Sequence, residues 1–134
     1  MEKNFRRDIN ALGEVFDFVE QYSSAHAIEA THLFSIKFII EELFTNMVKY
    51  STSGIQSDIS VGLDKHDRQL TIKLIDYDVD EFDITRAEEV DTTKSLQDRK
   101  IGGLGIHLVK KMVDEINYDY SNRQSTITLT KKLG

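Results

Sequence analysis

The sequence contains no cysteine, no proline and no tryptophan. The lack of cysteine excludes disulfides, thiolate metal sites and cysteine nucleophiles, and it suits the reducing cytoplasm, where we expect the protein to reside. Without proline, turns have to be built from Gly, Asn, Asp and Ser. No apolar run approaches the ~18 residues of a membrane-spanning helix. The first ten residues also lack the apolar segment of a signal peptide, so no membrane association is expected.

Basic residues are in short supply, with 17 Lys and Arg against 23 Asp and Glu, for a net charge of −6. This balance argues against a general nucleic-acid binder, which needs clustered cations to neutralise phosphates. The acidic excess is local, because the window 76–91 holds eight carboxylates and one arginine. Such a run is usually a solvated loop, but it can also lie at or near a binding site.

The length of 134 residues and the 40% hydrophobic content predict one folded domain covering residues 1–134. Helical and strand periodicities follow one another along it. The predicted elements are an edge strand at 3–9, helices at 10–22 and 29–50, strands around 59–63 and 70–74 joined by a polar loop at 64–68, an aperiodic connection at 81–100, a helix from 102 through 116, and strands at 118–121 and 125–131 joined at 122–124. This order is not the alternation of a doubly wound parallel sheet. It favours an α+β fold, a two-layer α/β sandwich with a mostly antiparallel sheet.

The first candidate site lies in the long second helix, where Glu42 and Asn46 are four residues apart and therefore share one face. Spacing alone favours a simple surface hydrogen bond. However, Met47 and Val48 beside Asn46 are apolar, and a polar amide among buried neighbours needs a partner. That partner is either a metal ion or a bound polar ligand.

The second candidate is Asp76, which ends the apolar strand Leu74-Ile75. Ligand-contacting residues often lie at strand ends, although many such aspartates only begin a turn. The spacing of Asp76, Asp78 and Asp80 also invites comparison with a calcium-binding loop. The sixth and twelfth positions of such a loop should be Gly and Glu, but here they are Glu and Ala, which argues against it.

The third candidate is the stretch Gly102-Gly103-Leu104-Gly105, which leads directly into a helix and follows Lys100. Glycines let backbone amides approach an anion, and a helix N-terminus adds its free N–H groups and its dipole. A glycine turn before a helix is common without any ligand, so this signal alone is weak. It is not a Walker motif, because no Lys-Ser or Lys-Thr follows the glycines.

Together the three segments resemble the GHKL (Bergerat) ATP-binding fold of histidine kinases, gyrase B and MutL. Within it, they are similar to the anti-sigma factor serine-protein kinase family. The residues that carry the resemblance are FIIEELFTNMVKY at 38–50, KIGGLGIHLVKKMVDE at 100–115 and ITLTKKL at 127–133. The resemblance implies a mostly antiparallel mixed sheet covered on one face by three helices, and a function in transcription regulation.

The same resemblance implies roles for individual residues. Glu42 would be the general base, and Asn46 would hold Mg²⁺ against the phosphates of ATP. Asp76 would accept a hydrogen bond from the adenine amino group, with Thr128 supporting the base. The remaining ATP-binding residues would act at the phosphates, and they are Lys49, Lys100, Gly103, Leu104, Gly105 and Ile106. The implied partners are an anti-anti-sigma protein of the STAS type, phosphorylated on serine, and a sigma factor, while a homodimer is also compatible.

Two alternatives stay open. The family pattern has Gly where this sequence has Asp78, and Asp80 adds a further charge. These departures favour a non-enzymatic protein-binding switch on the same fold, with weakened or lost nucleotide binding. The charge cluster alone also allows a metal-binding module that uses no nucleotide. The four histidines lie at scattered places and do not form a ligand set.

Overall fold

The structure, a computed structural model, describes residues 1–49, 57–79 and 103–134. Eight regular elements and a short 3₁₀ turn at Ile9–Ala11 lie within these ranges. In chain order they are β1 (Glu2–Phe5), α1 (Leu12–Ala25), α2 (Ala30–Lys49), β2 (Ile59–His66), β3 (Gln69–Tyr77), α3 (Gly103–Met112), β4 (Glu115–Ser121) and β5 (Gln124–Lys132).

The strands form one five-stranded sheet in the order β1-β2-β3-β5-β4. All four pairings among the described residues are antiparallel. The three helices and the inward face of the sheet share one hydrophobic core, in which Phe44 of α2, Ile72 of β3 and Ile106 of α3 are almost fully buried. The predicted two-layer α+β sandwich is confirmed.

The third helix is shorter than its apolar spacing predicted, because α3 ends at Met112 and Ile116 belongs to β4. Hydrogen bonds to β5 end the helix at this point. The Asp114 amide donates to the Thr130 carbonyl, and the Lys132 amide donates to the Asp114 carboxylate. Ile116 then pairs with Leu129, so its apolar side chain serves the core from a strand.

The first strand is also shorter than predicted and ends at Phe5. Asp8 caps the 3₁₀ turn that follows, since its side chain accepts from the Asn10 amide at 3.0 Å. The β4–β5 turn lies where it was predicted but is one residue shorter, because Gln124 belongs to β5; Asn122 and Arg123 are both at positive φ, 52° and 61°. Two such residues match the twist of a two-residue hairpin turn. In the part of the chain that is described, no helix is long and apolar enough to span a membrane.

Candidate functional site

The polar face of α2 carries the first predicted group. Asn46 is buried, with 2% of its surface exposed, and its Nδ2 donates to Oε1 of Glu42 across 3.4 Å. That distance is long for an N–H···O bond, so the bond is weak. Lys49 is exposed in the last turn of the same helix. The predicted pairing of Glu42 with Asn46 is therefore present, and a bond this weak leaves both groups able to turn toward a ligand.

The environment of Glu42 changes its acidity. Burial raises the pKa of Glu42 above its ordinary value, and the charge of Glu41 raises it further. The hydrogen bond from Asn46 and the charge of Lys49 act in the opposite direction, but burial is the largest of these effects. A carboxylate whose pKa is raised toward neutrality is better matched to general-base work than an ordinary surface glutamate.

The glycine-opened helix meets this group. α3 begins at Gly103, as the glycines predicted, and Ile106 is buried in the core. A Cβ added at Gly105 would collide with the carboxyl carbon and both oxygens of Glu42. The carboxylate of Glu42 therefore lies directly against the backbone of the first turn of α3, where helical N–H groups have no partner within the helix. Of Gly103 and Leu104 the structure describes only the backbone, and Lys100 lies outside the described residues.

Asp76 lies next to the last residue of β3, and its side chain is 9% exposed. It pairs with Ile59 of β2 and Ser125 of β5. Because directly paired residues share a face, Asp76 belongs to the inward face that α2 and α3 cover. The strand-end carboxylate thus lies on the same side of the sheet as Glu42 and Asn46.

Arg7 is a functional candidate that the sequence did not reveal. It forms an ion pair with Asp76 through Nη2, and only 5% of its side chain is exposed. Its Nη1 donates to the Met47 carbonyl at 3.1 Å, and its Nε donates to the Ser57 carbonyl at 3.2 Å. Burial lowers the pKa of the guanidinium, but an arginine remains charged in proteins. An arginine just after an edge strand is normally solvated, so no local pattern could have identified it.

The register corrects the prediction for Thr128. Thr128 pairs with Lys73, on the face of the sheet opposite to Asp76, so its side chain cannot support a base held by Asp76. Ser125 takes the inward position instead. It is buried, pairs directly with Asp76, and its hydroxyl lies 3.4 Å from that of Tyr118. Ser125 alternates with the inward-facing Ile127 and Leu129, and this period of two in the sequence could have identified Ser125 as an inward-facing residue.

Asp78 keeps the backbone conformation that glycine adopts easily, with φ at 55°. Its Oδ2 accepts from the Ser57 hydroxyl at 3.0 Å. Its carbonyl accepts from Arg123, and the next residue, Val79, donates to the Arg123 carbonyl at 2.9 Å. The Asp78 carboxylate therefore already has a hydrogen-bond donor, the Ser57 hydroxyl. Asp80 and the rest of the acidic window lie outside the described residues.

The donor chemistry of this site fits a hydrated Mg²⁺ and a nucleotide. A carboxylate and an amide oxygen one helical turn apart are hard oxygen ligands, of which Mg²⁺ uses one or two beside phosphate oxygens. Because residue 105 is glycine, the backbone of α3 can lie directly against the Glu42 carboxylate. A larger residue at this position would collide with that carboxylate. Within the three described ranges, no group of three or more His, Cys, Asp or Glu residues could hold a metal ion by itself.

Comparisons with solved structures support the fold. The RsbU and RsbW domains of Rv1364c from Mycobacterium tuberculosis match with a TM-score of 0.71 and 16% identity, over 99% of this chain and 32% of that one. The Acinetobacter baumannii histidine kinase AdeS matches with a TM-score of 0.52 and 14% identity, over 100% and 68% of the two chains. A blue-light-activated histidine kinase from Erythrobacter litoralis gives a TM-score of 0.51 and 13% identity, over 93% and 60%. The chain therefore spans about a third of the Rv1364c structure and three-fifths of the Erythrobacter kinase domain structure.

The sequence comparisons are more decisive about the family. No curated protein matches the chain. The family described as "Histidine kinase-like ATPase domain" matches residues 5–131, which is nearly the whole sequence. Together with the sheet order and the position of the α2 polar face, this match shows that the chain belongs to the histidine kinase-like ATPase family.

Proposed function

We propose that this domain binds Mg-ATP, as its family implies, and transfers the γ-phosphoryl group to a serine of a protein partner. The partner is an anti-anti-sigma protein of the STAS type, and the domain also sequesters a sigma factor in the cytoplasm. This proposal places the chain in the anti-sigma serine-kinase branch, acting as one domain over residues 1–134. Its fold similarity to a structure that contains an RsbW domain supports the choice of branch.

The observation that carries the proposal is the contact between Glu42 and the first turn of α3. This contact brings together a carboxylate of raised pKa, a buried amide at Asn46 and the N–H groups of a helix start, which have no partner within the helix. Asp76 lies on the same side of the sheet. Phosphoryl transfer needs oriented donors, a metal ion and one base, and little other covalent chemistry from the protein.

Each group has a defined task in this mechanism. Mg²⁺, when bound, would neutralise developing charge on the phosphate oxygens. Asn46 would hold the ion through its side-chain oxygen. The backbone of Gly103 to Ile106 would donate to phosphate oxygens, and Lys49 would add a positive charge beside Glu42. Glu42 would take the proton from the attacking serine hydroxyl, while Asp76 and Ser125 would orient the base at the other end of the site.

Two measurements test the proposal. Thermal denaturation with Mg-ATP, Mg-ADP or Ca²⁺ measures binding, because a ligand that binds only the folded state raises its stability. Nucleotide should stabilise the wild-type protein but not Asn46→Ala. Stabilisation by Ca²⁺ alone would instead support the metal-binding module and contradict the proposal. Transfer of radiolabel from ATP to a candidate STAS-type protein then tests catalysis, with Glu42→Gln as the inactive control.

One observation favours the alternative of a non-enzymatic switch, namely the ion pair that Arg7 makes with the base-recognising carboxylate. Asp78 gives the non-enzymatic alternative less support than the sequence suggested, because the Asp78 carboxylate accepts a hydrogen bond from Ser57. Wild-type protein that binds a STAS-type partner without binding nucleotide would support the switch and contradict the kinase.

A further inference from the structure

Two of the four large apolar side chains that are exposed among the described residues lie beside the proposed site. Phe34 of α2 has 73% of its surface exposed, and Leu108 of α3 has 41%. Single exposed apolar residues are common on protein surfaces, whereas a contiguous apolar patch marks a binding surface. The course of the two helices brings Phe34 and Leu108 into one such patch.

Phe34 begins a row of residues on α2 that ends in the site. Phe34, Phe38, Glu42 and Asn46 are spaced by four, so successive members lie side by side on the helix surface. Burial increases along the row, from the exposed Phe34 through the half-buried Phe38 and Glu42 to the buried Asn46. Phe34 precedes Glu42 by about two turns, or about 12 Å along the helix axis. The row therefore leads from the open surface to the proposed base.

The third helix runs back along α2 toward its N-terminal end. The Lys131 ammonium donates to the Met112 carbonyl at the end of α3, at 2.9 Å. Lys131 lies in the same cross-strand row of the sheet as Lys65, whose ammonium donates to the His26 carbonyl shortly before α2, at 2.9 Å. α3 thus ends at the edge of the sheet from which α2 starts. Because α3 begins against Glu42, the two helices are antiparallel.

Leu108 lies on the side of α3 that faces α2. Leu108 follows Gly105 by three residues and Met112 follows it by seven, a spacing that places all three on one face. Gly105 contacts Glu42, so this face is the one turned toward α2. Leu108 and the half-buried Met112 therefore border the N-terminal part of α2. Four apolar side chains form this surface, the α2–α3 strip, and they are Phe34, Phe38, Leu108 and Met112.

Charged residues border the strip on both helices. Lys111 is exposed three residues after Leu108, and Glu41 is exposed three residues after Phe38. A surface with a cation on one border and a carboxylate on the other favours one orientation of a partner, with a carboxylate at Lys111 and a cation at Glu41. A second copy of this chain seated on the strip would cover the approach to Glu42. The serine that Glu42 deprotonates has to reach that side chain, so the strip suits the protein that carries the serine.

We propose that the α2–α3 strip is the docking surface for the serine-bearing protein. That partner places apolar side chains on Phe34 and Leu108 and a carboxylate at Lys111, with its serine about 12 Å from Phe34, at Glu42. The inference rests on the proposed function, because it requires transfer of a phosphoryl group to a serine of a protein. It assigns recognition of the partner to residues outside the nucleotide site.

The test measures radiolabel transfer from Mg-ATP to a purified STAS-type protein over a range of concentrations of that protein. Phe34→Ser and Leu108→Ser each remove one apolar contact. Ile9→Ser is the matched control, because Ile9 is 40% exposed and lies in the 3₁₀ turn, outside the strip. Each strip variant should raise the KM for the STAS-type protein about tenfold, equivalent to about 1.4 kcal/mol, with kcat and the affinity for Mg-ATP unchanged. Ile9→Ser should leave the KM unchanged.

Charge reversal tests the orientation of the partner. Lys111→Glu should also raise the KM for the STAS-type protein. Because Lys111 is exposed, salt screens its interactions, so the difference from the wild type should shrink as the salt concentration rises. A KM for Lys111→Glu equal to that of the wild type at low salt would overturn the assigned carboxylate.

The outcomes separate this inference from the proposed function. A wild-type protein that binds Mg-ATP but labels no STAS-type protein contradicts the proposed kinase, and the docking surface falls with it. Labelling by the wild type, with a KM that Phe34→Ser and Leu108→Ser leave unchanged, keeps the proposed function and overturns the inference. Loss of kcat or of Mg-ATP affinity at unchanged KM also overturns it, because the strip would then support the nucleotide site. A wild-type dimer that Phe34→Ser converts to a monomer in analytical ultracentrifugation, at unchanged KM, assigns the strip to a second copy and overturns it as well.

Discussion

The carboxylate of Glu42 on α2 fills the space that a side chain at Gly105 of α3 would need. The two helices pack so closely at this point that Glu42, the residue proposed as the base, is in contact with the first turn of α3, which is proposed to bind phosphate. Glycine is required at position 105 because the Glu42 carboxylate lies so close to it. The backbone conformation is not the reason, since it is helical and suits any residue. The contact therefore links the integrity of the site to the absence of a single methyl group.

Gly105→Ala should disable the site without unfolding the protein. The new methyl group would displace the end of a flexible side chain, and alanine is about 1 kcal/mol better than glycine inside a helix, so the stability should change little. Misplacing a catalytic group by ~1 Å can cost about 100-fold in rate. We therefore expect radiolabel transfer to a STAS-type partner to fall by about that factor.

Gly13→Ala is the matched control, because a Cβ at Gly13 in α1 would meet nothing within 4 Å. It should stabilise the protein by roughly 0.5–1 kcal/mol in urea denaturation and leave transfer unchanged. Equal transfer rates for Gly105→Ala and Gly13→Ala would show that Glu42 need not occupy its observed position.

Glu42→Gln should change how stability depends on pH. Burial raises the pKa of Glu42, so between the ordinary value and the raised value the folded state holds a proton that the unfolded state has released. This group therefore favours folding at low pH, and its contribution is lost as the pH rises through that range. The neutral amide avoids the loss, so the stability of the variant relative to the wild type should increase from pH 4 to pH 7.

Urea denaturation at several pH values measures this difference. Glu115→Gln is the control, since Glu115 is an exposed glutamate at the start of β4. If the Glu42→Gln curve runs parallel to the wild-type curve, Glu42 has the same acidity in the folded and unfolded states.

Breaking the Arg7–Asp76 pair from either side should destabilise the protein strongly. Each side chain is less than a tenth exposed, so Arg7→Met or Asp76→Asn leaves a buried group without its counter-ion. Such a loss costs roughly 3–5 kcal/mol. The double variant should be less destabilised than the sum of the single variants, because it removes both groups. Arg6→Met should cost less than about 0.5 kcal/mol, and a similar cost for Arg7→Met would contradict the observed burial.

The sequence predicted most of the fold because its periodicities are clear. The alternation at 59–63 and 70–74, the helical spacing around Leu43 and the glycines before α3 each indicated the element that the structure contains. Ile116 was misassigned because its spacing fits both a helix and a strand, and backbone bonds from Asp114 and Lys132 decide between them. Tertiary contacts made that choice, and local pattern could not.

The site residues also divide into those that local spacing predicts and those that depend on tertiary contacts. Glu42 and Asn46 were predictable because both lie on one helix, where spacing defines a face. Arg7 and Asp76 are 69 residues apart, and their pairing depends on how the N-terminal segment crosses the end of the sheet. Thr128 was predicted to support the base, yet it lies on the face opposite to Asp76, because the strand register, which decides the face, follows from long-range pairing.

Ser125 and Thr128 should differ in their effect on nucleotide binding, since they lie on opposite faces of β5. Ser125→Val replaces the inward hydroxyl beside Asp76 with a bulkier apolar group and should weaken Mg-ATP binding. Thr128→Val is nearly isosteric on the outward face opposite Lys73 and should leave binding unchanged. Titration of both variants with Mg-ATP checks this. Weaker binding by Thr128→Val alone would contradict the register.

Asp78 should tolerate glycine better than alanine. At φ 55°, an L-residue costs about 1–2 kcal/mol relative to glycine, although aspartate reduces this cost through local hydrogen bonds such as the one from Ser57. Asp78→Gly removes both the strain and the bond, so its stability should stay within about 1 kcal/mol of the wild type. Asp78→Ala keeps the strain without the bond and should be about 1 kcal/mol less stable than Asp78→Gly in urea denaturation. Equal stabilities of the two variants would mean that residue 78 does not hold the left-handed conformation through which β3 leads out of the sheet.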